Sequence, residues 1–99
     1  MKTIEEMSAD IDNITAQLNG LTEQEQHNAL FAIKTMPPIG FSRQEMAENI
    51  DDVVNLLSAK RQYPAAQAMA WAIYRSWVDV MELTKYDKSI ADRLFDIMH

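Results

Sequence analysis

Two histidines and a scatter of carboxylates are the groups in this chain best equipped for chemistry. His27 stands four residues after Glu23, and Asp92, Asp96 and His99 recur at helical spacing. Each set would share one face of a helix and could contribute to holding a divalent cation. A structural zinc site wants four nitrogen- or sulfur-rich donors, however, and the chain has no cysteine to supply them. Asp10-Ile11-Asp12-Asn13 opens like a calcium loop, then lacks the glycine at its sixth position and the glutamate at its twelfth. Solvated helix faces account for all of these residues, and no metal or other cofactor is expected.

Catalysis has no better footing. General acid–base work needs a positioned group in a cleft with an environment that shifts its pKa. His27 falls in a polar stretch and His99 is the last residue of the sequence. Ser8, Ser42, Ser58, Ser76 and Ser89 stand in neither a nucleophile-elbow nor a Ser-x-x-Lys context. Without cysteine, thiol catalysis and disulfides are excluded as well. The expectation is a protein that is not an enzyme.

Recognition residues are more conspicuous. Trp71, Tyr74, Arg75 and Val78 follow the i, i+3, i+4, i+7 spacing of anchors that a single groove could receive. They lie on or near the polar side of the run Pro64–Leu83, away from its main apolar face. Either they form a partner-binding stripe, or another helix of the same domain covers them. A second set, Glu45, Glu48 and Asp52, places carboxylates on one helical face as a candidate acidic surface.

Charge bears on what such surfaces could meet. The net charge is −6. The first fifty residues set Glu5, Glu6, Asp10, Asp12, Glu23, Glu25, Glu45 and Glu48 against only Lys2, Lys34 and Arg43. Nucleic-acid binding draws most of its affinity from Lys and Arg at phosphates, and the only adjacent basic pair is Lys60-Arg61. Direct nucleic-acid binding is not expected. Ser42–Arg61 has a passing likeness to a helix-turn-helix, but Asn49–Asp52 lacks a turn glycine and the would-be recognition helix opens with acids. The converse reading is a DNA mimic whose carboxylates imitate phosphates, Glu5, Asp12 and Glu23 extending the surface begun by Glu45, Glu48 and Asp52.

The elements that must position these residues are helical. Apolar content of 47% with 24% charged residues is too apolar for a disordered chain, and two glycines and three prolines leave little material for the turns of an all-β fold. Thr3-Ile4-Glu5-Glu6 fits a capping box and opens a helix with a seam of Ile4, Met7, Ile11, Ile14 and Leu18. Asn19-Gly20 ends it, with glycine expected in the left-handed conformation that it takes most cheaply. Thr22–Glu25 is a second capping box, leading a helix that turns Ala29, Leu30, Ile33 and Met36 inward with Phe31 and Ala32 alongside. Pro37-Pro38 stops it, and Pro37–Phe41 is expected as a loop whose Ile39 and Phe41 fold back. Ser42–Glu45 is a third box, before a stripe of Met46, Ile50, Val53, Val54 and Leu57 that lasts to about Lys60.

Pro64 suits a first helical turn, and the alanines at 65, 66, 68, 70 and 72 favour a crowded crossing. Ala66, Met69, Ala70, Ile73, Trp77, Val80 and Met81 gather on one broad face at about 100° per residue. Arg75, Asp79 and Glu82 interrupt the run too early for a membrane span. TKYDKS, residues 84–89, breaks the pattern, and a last helix capped by Asp87 or Ser89 buries Ile90, Leu94, Ile97 and Met98.

The sequence therefore predicts a single all-α domain over residues 1–99, a compact bundle of four to five helices around a central helix at about 64–83. With no signal-like apolar stretch at its start, the chain is expected in the cytoplasm. The expected function is non-enzymatic: binding another protein of the cell or host as regulator, adaptor or inhibitor, with the DNA mimic as alternative and homodimerisation through the first helix or the Trp71 stripe as a third. Short, acidic, motif-free helical chains are the sort that mobile elements set against host machinery, a generalisation that rests on no residue here.

Overall fold

The computed structural model describes residues 3–35, 43–81 and 88–98, without the side chains of Arg43, Met46, Ala47, residues 76–81 and Lys88. Five helices account for them: α1 (Ile4–Asn19), α2 (Glu23–Thr35), α3 (Arg43–Ala59), α4 (Pro64–Met81) and α5 (Lys88–Met98), with no strand among the described residues. This is the all-α bundle that the apolar periods require.

The helix starts are written in short-range hydrogen bonds. Thr3 holds an extended backbone, φ −84° and ψ 167°, and its hydroxyl accepts from the N–H of Glu6 at 3.1 Å. The same hydroxyl faces the Glu6 carboxylate at 3.4 Å. At α2 the box is reciprocal: Glu25 N–H donates to Thr22 Oγ1, and Thr22 N–H donates to the Glu25 carboxylate, both at 3.2 Å. Each satisfies donors that the first helical turn leaves without partners. Ser42, the capping residue of the third box, and the Pro37–Phe41 loop lie outside the described residues.

The end of α1 differs from expectation. Gly20 sits at φ −90°, ψ −1°, in the right-handed region, and not in the left-handed one. The turn closes by i→i−3 bonds, Gly20 N–H to the Gln17 carbonyl and Leu21 N–H to that of Leu18, both 3.1 Å. A tightened last turn of this kind satisfies the terminal carbonyls without a positive φ. Gln26 adds a clamp from α2, its amide donating to the carbonyls of Leu18 and Leu21.

α4 is the hub: it packs against each of the other four helices. Ala65, Ala66, Ala68, Ala70 and Ala72 are all buried, along with Met69 and Ile73. Side chains this small let neighbouring helices come close on several sides at once. Around α4 the core is completed by Met7 and Ile11 from α1, Ile33 from α2, Ile50, Val53, Val54 and Leu57 from α3, and Ile90, Leu94 and Ile97 from α5. Among the described residues no polar or charged side chain is buried, so the interior has no unpaired charge to accommodate. The radius of gyration, 13.1 Å, is what a close-packed chain of this length reaches.

One detail departs from the expected pattern. Phe31 does not lie alongside the inward stripe of α2 but is 61% exposed, and Ala32 is exposed with it. α4 is described as far as Met81, and its expected end near Leu83 lies outside the described residues. α3 runs unbroken through Asn49–Asp52, as the stripe from Met46 to Leu57 predicts, with no helix-turn-helix bend there. At the surface, α1 is tied to the end of α3 by Lys60 and Asp12 at 2.5 Å, and α3 to α5 by Arg93, which bonds Asn55 and approaches Asp51 at 3.7 Å.

Candidate functional site

From Pro64 to Arg75, where its side chains are described, α4 is covered nearly all round, and the part left open is narrow. Pro64, Trp71 and Arg75 are exposed, and Gln67 and Tyr74 half-buried. At helical spacing these residues form one strip along the helix axis. It lies between α2 and α5, which pack on α4 more extensively than the other helices do.

Trp71 occupies the middle of that strip and is 40% exposed. It lines a small pocket of about 110 Å³ with Leu30 and Lys34 of α2, Pro64, Gln67 and Ala68 of α4, and Met98 of α5. An apolar cavity of about 150 Å³ admits a benzene ring, so this pocket has the dimensions of one medium-sized side chain. One wall is charged: the Lys34 ammonium lies 5.8 Å from the centroid of the Trp71 ring, within the range at which the ring quadrupole attracts a cation. The alkyl stem of such a lysine lies along apolar surface while its head stays in water.

The other members of the stripe have different surroundings. Tyr74 packs against the core and meets Phe95 of α5, ring centroids 6.5 Å apart and planes tilted by 54°. Phe95 itself is 51% exposed. Arg75 is exposed, one turn beyond Trp71. The Val78 side chain lies outside the described ones. Trp71 and Arg75 thus share the open strip, whereas Tyr74 is partly built into the α4–α5 contact. Met98, Lys34 and Phe95 join the site from other helices. Sequence spacing along α4 could not nominate them, because their nearness to Trp71 depends on how α2 and α5 dock.

The acidic set is spread along one face of α3. Glu48 and Asp52 are exposed and Glu45 is half-buried, with Gln44 donating to the Glu48 carboxylate at 3.3 Å and Asn49 to the Glu45 carbonyl at 2.8 Å. Glu23 and His27 line a shallow open depression with Thr22 and Gln24. Among the described residues no group of three or more His, Asp or Glu is arranged to hold a metal ion, and no helix is long and apolar enough to cross a membrane. Hydrogen bonds from the Thr22 hydroxyl and backbone N–H hold Glu25 below the ordinary carboxylate range, as part of the helix cap. The strip around Trp71 offers shape and apolar surface, with the Lys34 ammonium at its edge. Comparison with protein-family models, with curated proteins and with solved structures finds no match for the chain.

Proposed function

We propose that this chain is a non-enzymatic protein-binding domain whose docking site is the groove between α2 and α5, floored by Trp71. The observation that carries the reading is a large aromatic ring left 40% exposed on the one helix whose other faces are buried. Tryptophan, tyrosine and arginine dominate the energetic centres of protein interfaces, and Trp71, Tyr74 and Arg75 lie here within two helical turns. Clustered exposed apolar surface marks interaction sites more often than scattered residues do; Phe95 of α5, 51% exposed and against Tyr74, enlarges it.

The test compares capture of partners by the wild-type chain, by Trp71→Asp and by Glu48→Gln/Asp52→Asn, with circular dichroism and thermal melts establishing that each is folded. Partners lost only with Trp71→Asp, and held through a rise in salt, support the groove. Partners lost with the carboxylate changes, released by salt and displaced by duplex DNA would replace this reading with mimicry of nucleic acid.

A further inference from the structure

Resting on the groove reading above, we propose that its occupant is an amphipathic α-helix with carboxylates flanking its apolar stripe. The helical form suits the shape and backbone chemistry of the site. An extended peptide gains affinity by pairing with an open strand edge, and the described residues contain no strand. An amphipathic helix instead lays its apolar face into a groove by side-chain packing, which the exposed strip of α4 offers. The floor from Pro64 to Arg75 is about 16 Å long at 1.5 Å per residue, the length of about three helical turns, and one side chain enters the pocket beside Trp71.

The sign of the flanking charge follows from which cations are already engaged. Lys60 is paired with Asp12 and Arg93 with Asp51 and Asn55. Lys34 and Arg75 border Trp71 and have no ion pair among the described residues; the recorded contact of Lys34 is the indole face. Beyond Gln67, Arg61 and Asp96 line the adjoining cleft, one charge of each sign. Among the described residues named here, Lys34, Arg75 and Arg61 stand against Asp96, a positive local balance in a chain of net charge −6. Screening acts over about 8 Å at physiological salt, so a bound carboxylate responds to Lys34 and Arg75 more than to acids elsewhere on the surface.

The probes are three fluorescein-labelled 16-residue host helices sharing one leucine stripe at i, i+4 and i+7, flanked by Glu, by Gln or by Lys, titrated by fluorescence anisotropy. The Glu-flanked peptide is expected to bind roughly five-fold more tightly than the Gln-flanked one, as two solvent-exposed ion pairs allow, and the Lys-flanked one more weakly than both. Lys34→Gln/Arg75→Gln should erase the ranking while leaving leucine-dependent binding, and Trp71→Asp should abolish binding of all three. Equal binding of the three peptides overturns the acidic partner and leaves the groove standing. Binding of none by the folded wild-type chain overturns both. Glu-flanked binding that survives Trp71→Asp is charge attraction elsewhere and overturns the proposal. Self-association in sedimentation equilibrium that Trp71→Asp removes, without peptide binding, assigns the groove to a second copy and likewise overturns it.

Discussion

The ammonium of Lys34 on α2 sits over the indole of Trp71 on α4, 5.8 Å from the ring centroid. The contact fastens the wall of the groove to its floor while leaving the ring accessible. A cation–π contact at an exposed site is worth about 0.5–1 kcal/mol. Lys34→Ala is therefore expected to lower unfolding free energy by no more than about 1 kcal/mol in urea melts, with little change in helical circular dichroism. A loss of several kcal/mol would mean that Lys34 supports the core and does not merely border the site.

Gly20 offers a direct check on the end of α1. Its φ of −90° suits any L-residue, and a Cβ there would meet nothing nearer than the Gln17 carbonyl at 3.6 Å. Replacing glycine where the backbone already suits alanine removes freedom from the unfolded chain, and Gly20→Ala should stabilise by about 0.4–1 kcal/mol. Destabilisation in the same melts would return Gly20 to the left-handed conformation that the Asn-Gly sequence favours.

Glu25 should contribute pH-dependent stability. Its carboxylate accepts from Thr22, and its pKa is lowered from the model-compound value of 4.5. A carboxyl whose folded pKa lies below its unfolded value contributes stability that is present above the unfolded pKa and is lost as pH falls through the folded one. The stability difference between wild type and Glu25→Gln should accordingly be steady from neutral pH down to about 5 and shrink in more acid solution. A difference that grows on acidification would mean that the shift has the opposite sign.

The alanines of α4 should resist enlargement. Ala70 is fully buried on the helix that all four others touch. Extra methylenes in a filled core cost typically about 1–3 kcal/mol, so Ala70→Leu is expected to lower the urea midpoint clearly. At Gln67, half-buried on the open strip, a change to Leu should cost little beyond the hydrogen bond its amide donates to the Arg61 carbonyl, about 1 kcal/mol or less. Equal effects at the two positions would contradict the close approach of helices around α4.

Much of this architecture is determined by the sequence alone, because the forces involved act over a few residues. The hydroxyls of Thr3 and Thr22 reach backbone donors three residues on, Pro64 opens α4, and the spacing of Ile11, Val53, Ile73 and Leu94 puts each of them on a buried face. Other features were decided only by tertiary structure. Nothing local says that Phe31 turns outward, that Lys34 covers Trp71, that Tyr74 meets Phe95, or that Lys60 finds Asp12. Each depends on the angle and depth at which helices distant in sequence dock on α4. A helix apolar on more than one side can satisfy its own backbone without settling which side its neighbours cover. That choice came from packing, and it left Trp71 open between α2 and α5.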